Sequence, residues 1–224
     1  MITTDQGTGE LVRFDRAAVI KFYDELISDR GSDVAAITGL LGEDLILGLF
    51  AHYWANVENG KCELLAEPCT PGAPRGQRLD AWLLCEKGKR RFLYQVEIKN
   101  WSAYSWGESP LAATAVEAEV ANYARELWDY YFTAAGITHD RVAKVLLPMK
   151  KPRRFDHLPQ VPLCCFWLYI SKRAGVAFNE HQFADGSQVH VFSASAYLRS
   201  LTARHIELAM PRYSRRLGLL KALH

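Results

Sequence analysis

The clearest pattern of apolar and polar positions lies between residues 78 and 101. There Phe92, Tyr94, Val96 and Ile98 fall on one side, and Arg91, Gln95, Glu97 and Lys99 on the other. That period of two marks a strand. The run Asp80-Ala-Trp-Leu-Leu-Cys85 reads as its partner, and Lys87-Gly88 supplies a tight turn because glycine reaches positive φ at little cost. With Lys87-Gly88 as a two-residue loop, Asp80 pairs with Gln95. Glu97 is then its diagonal neighbour on the same face, about 7–8 Å away.

Other elements follow from the same reasoning. Residues up to about 14 are polar and predict no regular element. Asp15 caps a short helix through about 28, with Ala18, Val19, Phe22 and Leu26 inward. A long apolar helix runs from 32 or 38 to about 57 and closes at Glu58-Asn59-Gly60. A strand covers 61–66, and prolines and glycines between 68 and 76 exclude regular structure. A helix over 111–135 carries the apolar stripe Val116, Val120, Ala124, Leu127 and Tyr131. Strands are expected at 141–149, 162–170 and 189–192. Ser193 or Ser195 then caps a helix to about 205, and a basic helix follows Pro211. This order predicts an α/β fold: a central mixed β-sheet flanked by helices. It reads as one domain over 1–224, with a helical extension at 1–30, a core at 38–150, and added strands and basic helices at 151–224.

Composition narrows the setting. A chain of 224 residues that is 49% hydrophobic can bury a substantial core. No apolar run approaches the roughly 20 residues of a membrane span, so no membrane partner is expected. Five cysteines without metal spacing (Cys62, Cys69, Cys85, Cys164 and Cys165) read as reduced core thiols of a cytoplasmic protein. The net charge of +2 hides an asymmetry. Residues 1–112 hold 12 Lys/Arg against 16 Asp/Glu, whereas residues 113–224 hold 15 against 9. Lys150, Lys151, Arg153 and Arg154, with Arg212, Arg215, Arg216 and Lys221, are therefore candidate phosphate contacts; a solvated loop and tail is the plainer reading. A homodimer stays open.

Two carboxylates and an amine converge on the hairpin face. Asp80 and Glu97 make an oxygen site suited to Mg²⁺, and a Lys99 ammonium two residues on suits a phosphoryl transition state. The alternative is an exposed strand face where acids neutralise lysines. Glu43 adds a third carboxylate: it heads the stripe Leu40, Glu43, Leu47, Phe50 and Trp54, and an acid aimed at a core needs a partner. Asp44 next to it is the competing inward group. No Gly-rich phosphate loop, GxSxG or HExxH occurs, and the seven histidines show no ligand spacing.

Asp80 followed by Gln95-Val-Glu97-Ile-Lys99 at the end of an apolar strand resembles the PD-(D/E)XK nuclease superfamily, with Leu79 standing where the family name has proline. The resemblance covers about 38–150 and implies a restriction-endonuclease-like core. It implies a Mg²⁺-dependent nuclease, with Mn²⁺ as a substitute, hydrolysing phosphodiester bonds of DNA by in-line attack to leave a 5′-phosphate. By the same resemblance Asp80, Glu97 and the Ile98 carbonyl hold the metal, and Glu43 completes the shell or orients a water. Lys99 assists the nucleophile, and Gln95 supports from behind. The family's exonuclease branch carries Gln-xxx-Tyr where this chain has Glu119 and Tyr123, a departure from that branch. Trp101, Tyr104 and Trp106, beyond the motif, are candidates for base stacking. A non-catalytic nucleic-acid-binding or assembly module that keeps the fold is the alternative.

Overall fold

The computed structural model describes residues 2–4, 7–8, 11–25, 32–65, 79–99, 116, 118–119, 122, 151–167, 177–210 and 212–213. Among them the chain forms β1 (Ile2–Thr4), β2 (Gly7–Thr8), β3 (Leu11–Asp15), α1 (Arg16–Glu25), α2 (Ser32–Asn56), β4 (Lys61–Leu64), β5 (Ala81–Lys87) and β6 (Arg90–Lys99). A short 3₁₀ turn at Arg153–Phe155 follows, then β7 (Gln160–Phe166), β8 (Phe178–Gln182), β9 (Gln188–Ser193), α3 (Ala194–Ser200) and β10 (His205–Ala209).

Eight of these strands make one mixed sheet in the order β2-β1-β4-β5-β6-β7-β9-β8. β4, β5 and β6 form an antiparallel meander, and β7 then lies parallel to β6 and to β9. β3 and β10 pair as a separate antiparallel ribbon. The architecture is α/β with a mixed sheet and packed helices, as the order of apolar patterns predicted.

α2 is hydrophobic nearly all round, so it must be enclosed, and it lies across one face of the sheet. Phe50 and Trp54 are fully buried there and meet Tyr94 edge-on, with ring centroids 5.9 and 5.8 Å apart. Phe178 and Phe192 close around Phe50. Among the described residues the opposite face has a smaller cover. Phe155 and Leu158 from the 151–158 segment cluster with Leu65, Leu79, Trp82, Leu84 and Leu93.

Several expectations change. The first fifteen residues are not featureless: β1 joins the main sheet beside β4, and β3 alternates exposed Leu11 and Arg13 with half-buried Val12 and Phe14. The 1–30 extension is therefore part strand, a period-two signal short enough to pass for polar coil. α1 starts where expected, with the Asp15 carboxylate accepting from the Ala18 N–H at 3.1 Å. Ser193 caps α3 by accepting from the Ala196 N–H at 3.2 Å, but α3 ends at Ser200, and residues 205–209 are strand β10 because β3 offers them a partner. Val116, expected in a buried stripe, is 61% exposed. The helical residues described there begin at 118, and the Glu119 carboxylate turns back to accept from the Val116 N–H at 2.9 Å. That is the glutamate half of a capping box, since Val116 has no side-chain oxygen to return the bond, and it gives Glu119 a local structural task. The expected strand at 141–149, the loop at 68–76, Tyr123 and Trp101, Tyr104 and Trp106 lie outside the described residues.

Candidate active site

The hairpin turn sets the site geometry. Lys87 pairs with Arg90, so the two loop residues are Gly88-Lys89, one position later than expected. Gly88 has φ +58°, and Lys89 does not share the positive φ. Positive φ confined to the first loop position is the II′ requirement, which glycine meets without strain. The shift propagates along both strands. Ala81 pairs with Val96, so extending the register by one residue sets Asp80 directly opposite Glu97 rather than opposite Gln95. Directly opposed residues share a face, with Cβ atoms about 4.5–5.5 Å apart. The two acids are thus closer in register than the pattern alone suggested.

Asp80 sits just ahead of β5 and is half-buried. Its Oδ2 accepts the backbone N–H of Ile98 at 2.6 Å, which ties the carboxylate across the open end of the hairpin. Asp80 also reaches β7 electrostatically. Burial first, and the Asp80 charge second, push the Cys165 thiol well above the ordinary cysteine range. Cys164 and Cys165 are fully buried thiols, as are Cys62 and Cys85 to within 3%, so none has the exposure of a nucleophile. Cys69 lies outside the described residues.

Gln95 is 3% exposed and lies two residues before Glu97 on the same face. Its Oε1 accepts from Gln160 Nε2 at 2.9 Å, binding β6 to the start of β7. Lys99 ends β6, with its backbone in register with Phe166; its side chain lies outside the described residues.

The long helix resolves the choice between its two acids. Asp44 is the inward one, fully buried, and its Oδ2 accepts the Tyr213 backbone N–H. Glu43 is 30% exposed and faces Arg212, whose Nη1 lies 3.3 Å from Glu43 Oε2. The same guanidinium donates through Nη2 to the backbone carbonyl of Asp80. Glu43 is therefore joined to the hairpin through Arg212. From the sequence Arg212 was one candidate phosphate contact in a basic tail, with no sign of its pairing with Glu43. The missing signal was tertiary: β10 carries the chain past α2, and a Cβ at Gly48 would meet the Ala209 carbonyl oxygen at 3.1 Å and Leu208 Cβ at 3.2 Å. That close approach sets Arg212 down beside Glu43.

The basic turn divides by role. Lys151 Nζ donates to the carbonyls of Asp156 and Leu158, at 2.8 Å each, and so braces the turn. Arg153 and Arg154 are exposed, and Arg154 lies over the Phe155 ring at 4.7 Å. Because Phe155 belongs to the cover over Trp82 and Leu84, these arginines stand on the same sheet face as Asp80 and Glu97.

The donor set fits a hard divalent cation in kind, since Asp80 and Glu97 offer only oxygen. Among the described residues no group of three or more His, Cys, Asp or Glu side chains is gathered to hold a metal. Among the described residues no helix is long and apolar enough to cross a membrane. In comparisons with known protein families, with curated proteins and with solved structures, nothing matches this chain.

Proposed function

We propose that this chain is a Mg²⁺-dependent nuclease of the PD-(D/E)XK type that hydrolyses phosphodiester bonds of DNA. What supports the reading is the hairpin register: Ala81 pairs with Val96, and one further step sets Asp80 opposite Glu97 at the open end of the hairpin, where the Asp80 carboxylate accepts the Ile98 N–H. The order α2, antiparallel β4-β5-β6 and then parallel β7 supports it, because it agrees with the helix and strands of a restriction-endonuclease-like core.

In this reading Asp80 and Glu97 hold the ion, with the Ile98 carbonyl as a further oxygen. The bound ion supplies Lewis-acid polarisation of the phosphodiester and lowers the pKa of a water. The Ile98 N–H holds Asp80 in its orientation, so the carboxylate need not reorganise when the substrate arrives. Lys99, at the end of β6, would steady the charge on the phosphoryl oxygens, or orient the attacking water and help deprotonate it. Buried Gln95 keeps β6 and β7 in step behind Glu97. Arg153 and Arg154 offer backbone phosphate contacts on the same face.

Cleavage of supercoiled plasmid and labelled duplex oligonucleotides in Mg²⁺ or Mn²⁺ tests this. Folded Asp80→Ala and Lys99→Ala proteins are expected to lose cleavage. Unchanged cleavage by both rules out the site. Folded wild-type protein that binds neither ion by calorimetry, yet binds DNA, points to the non-catalytic binding module instead.

A further inference from the structure

We propose that Arg212 is the phosphate-contacting residue of this site, and that Glu43 is its positioning residue rather than a metal ligand. The inference rests on the nuclease reading above. Arg212 follows β10 directly, and its guanidinium spans two elements. Nη1 reaches the Glu43 carboxylate at 3.3 Å, and Nη2 donates to the Asp80 carbonyl. That second contact fixes the cation on the main chain of one of the two proposed metal-holding residues.

Three features make this a built clamp rather than a passing ion pair. Consecutive acids on α2 hold consecutive residues of the incoming segment: Glu43 holds Arg212, and fully buried Asp44 holds the Tyr213 N–H. A guanidinium has five N–H donors, and the two bonds above use two of them. The Arg212 side chain is still 25% exposed, so its remaining donors have a way out to a ligand. A planar fork with spare donors, steadied by a carboxylate, suits a phosphodiester oxygen pair. A divalent ion seated on Glu43 itself would lie against that guanidinium, a like-charge contact. The cation at this corner is therefore supplied by the chain, and the metal belongs to the Asp80–Glu97 side.

The test uses the full chain. Binding of a fluorescent duplex oligonucleotide is followed by anisotropy in Ca²⁺ over a salt series, and Mn²⁺ binding by calorimetry, for wild type, Arg212→Ala, Arg212→Lys and Glu43→Gln. Arg212→Ala is expected to weaken DNA binding roughly tenfold or more and to lower the log–log salt slope by about one. Arg212→Lys keeps the slope but loses affinity, because it retains charge and lacks the fork. It also serves as the test variant should Arg212→Ala fail to fold. Glu43→Gln weakens DNA binding in the same direction and leaves Mn²⁺ affinity within about twofold. A purely structural role would lower the melting temperature and leave the salt slope unchanged, which overturns the assignment. A tenfold loss of Mn²⁺ affinity in Glu43→Gln also overturns it, by making Glu43 a ligand. Wild type that binds neither Mn²⁺ nor DNA defeats the nuclease reading itself, and this assignment with it.

Discussion

The two faces of the β4-β5-β6 meander are built from the same strands and do different work. On the α2 side, Phe92, Tyr94, Val96 and Ile98 disappear under an aromatic layer that includes fully buried Phe50 and Trp54. On the other side, Leu93 and Gln95 are buried but Glu97 is only half-covered, and among the described residues the cover is a short segment carrying Phe155 and Leu158. The alternation that gives one face a sealed core leaves the other able to present carboxylates at the open end of the hairpin. Stability resides mainly on the first face and proposed chemistry on the second, so changes on the two should separate.

The largest separation is expected from Asp80→Ala or Glu97→Ala. Each should lower metal-dependent cleavage by roughly three orders of magnitude, the scale of several kcal/mol of lost transition-state stabilisation. Melting temperature should stay near wild type for Glu97→Ala and fall modestly for Asp80→Ala, whose carboxylate accepts the Ile98 N–H, as checked by circular dichroism beside a plasmid assay. Phe50→Ala should do the reverse in kind, costing about 3–5 kcal/mol of stability in urea unfolding, because its ring touches Trp54, Tyr94, Phe178 and Phe192.

A pH effect is expected from the sealed face. His190 is fully buried there, its Nδ1 2.8 Å from the Tyr94 hydroxyl, with Phe92 and Phe178 beside the ring. Burial first, and the Arg90 charge second, lower its pKa from 6.5 to about 4. The native protein keeps this ring neutral where the unfolded chain takes up a proton. Its contribution is complete above pH 6.5 and is lost as pH falls from there toward about 4, a loss of order 3 kcal/mol. Urea midpoints measured across that range should fall in wild type, and less steeply in His190→Phe. The smallest change is expected from Arg153→Ala. This exposed arginine should alter DNA affinity modestly, lowering the salt slope by about one at unchanged melting temperature.

Much of this division was legible in the sequence, and the errors have identifiable causes. The period-two pattern located β6 and its faces, and the apolar run of α2 announced a buried helix. The hairpin register was off because Gly88 admits either loop placement locally. Pairing over the whole length of β5 and β6 chooses Gly88-Lys89, which moves Asp80 from Gln95 to Glu97. Periodicity put Glu43 at the head of the buried stripe, and the inward acid is its neighbour Asp44, about 100° round the helix. The docking of 212–213 decided between them, sending Asp44 inward and Glu43 to Arg212. β3 and β10 are almost two hundred residues apart in sequence, and each is short enough that neither signals the ribbon alone.

The most direct measurement is anomalous diffraction from a crystal soaked in Mn²⁺. The account predicts one peak bridged by the Asp80 and Glu97 carboxylates, with Arg212 still on Glu43. No peak at that pair, with either carboxylate turned away or bound to a basic side chain, would contradict it.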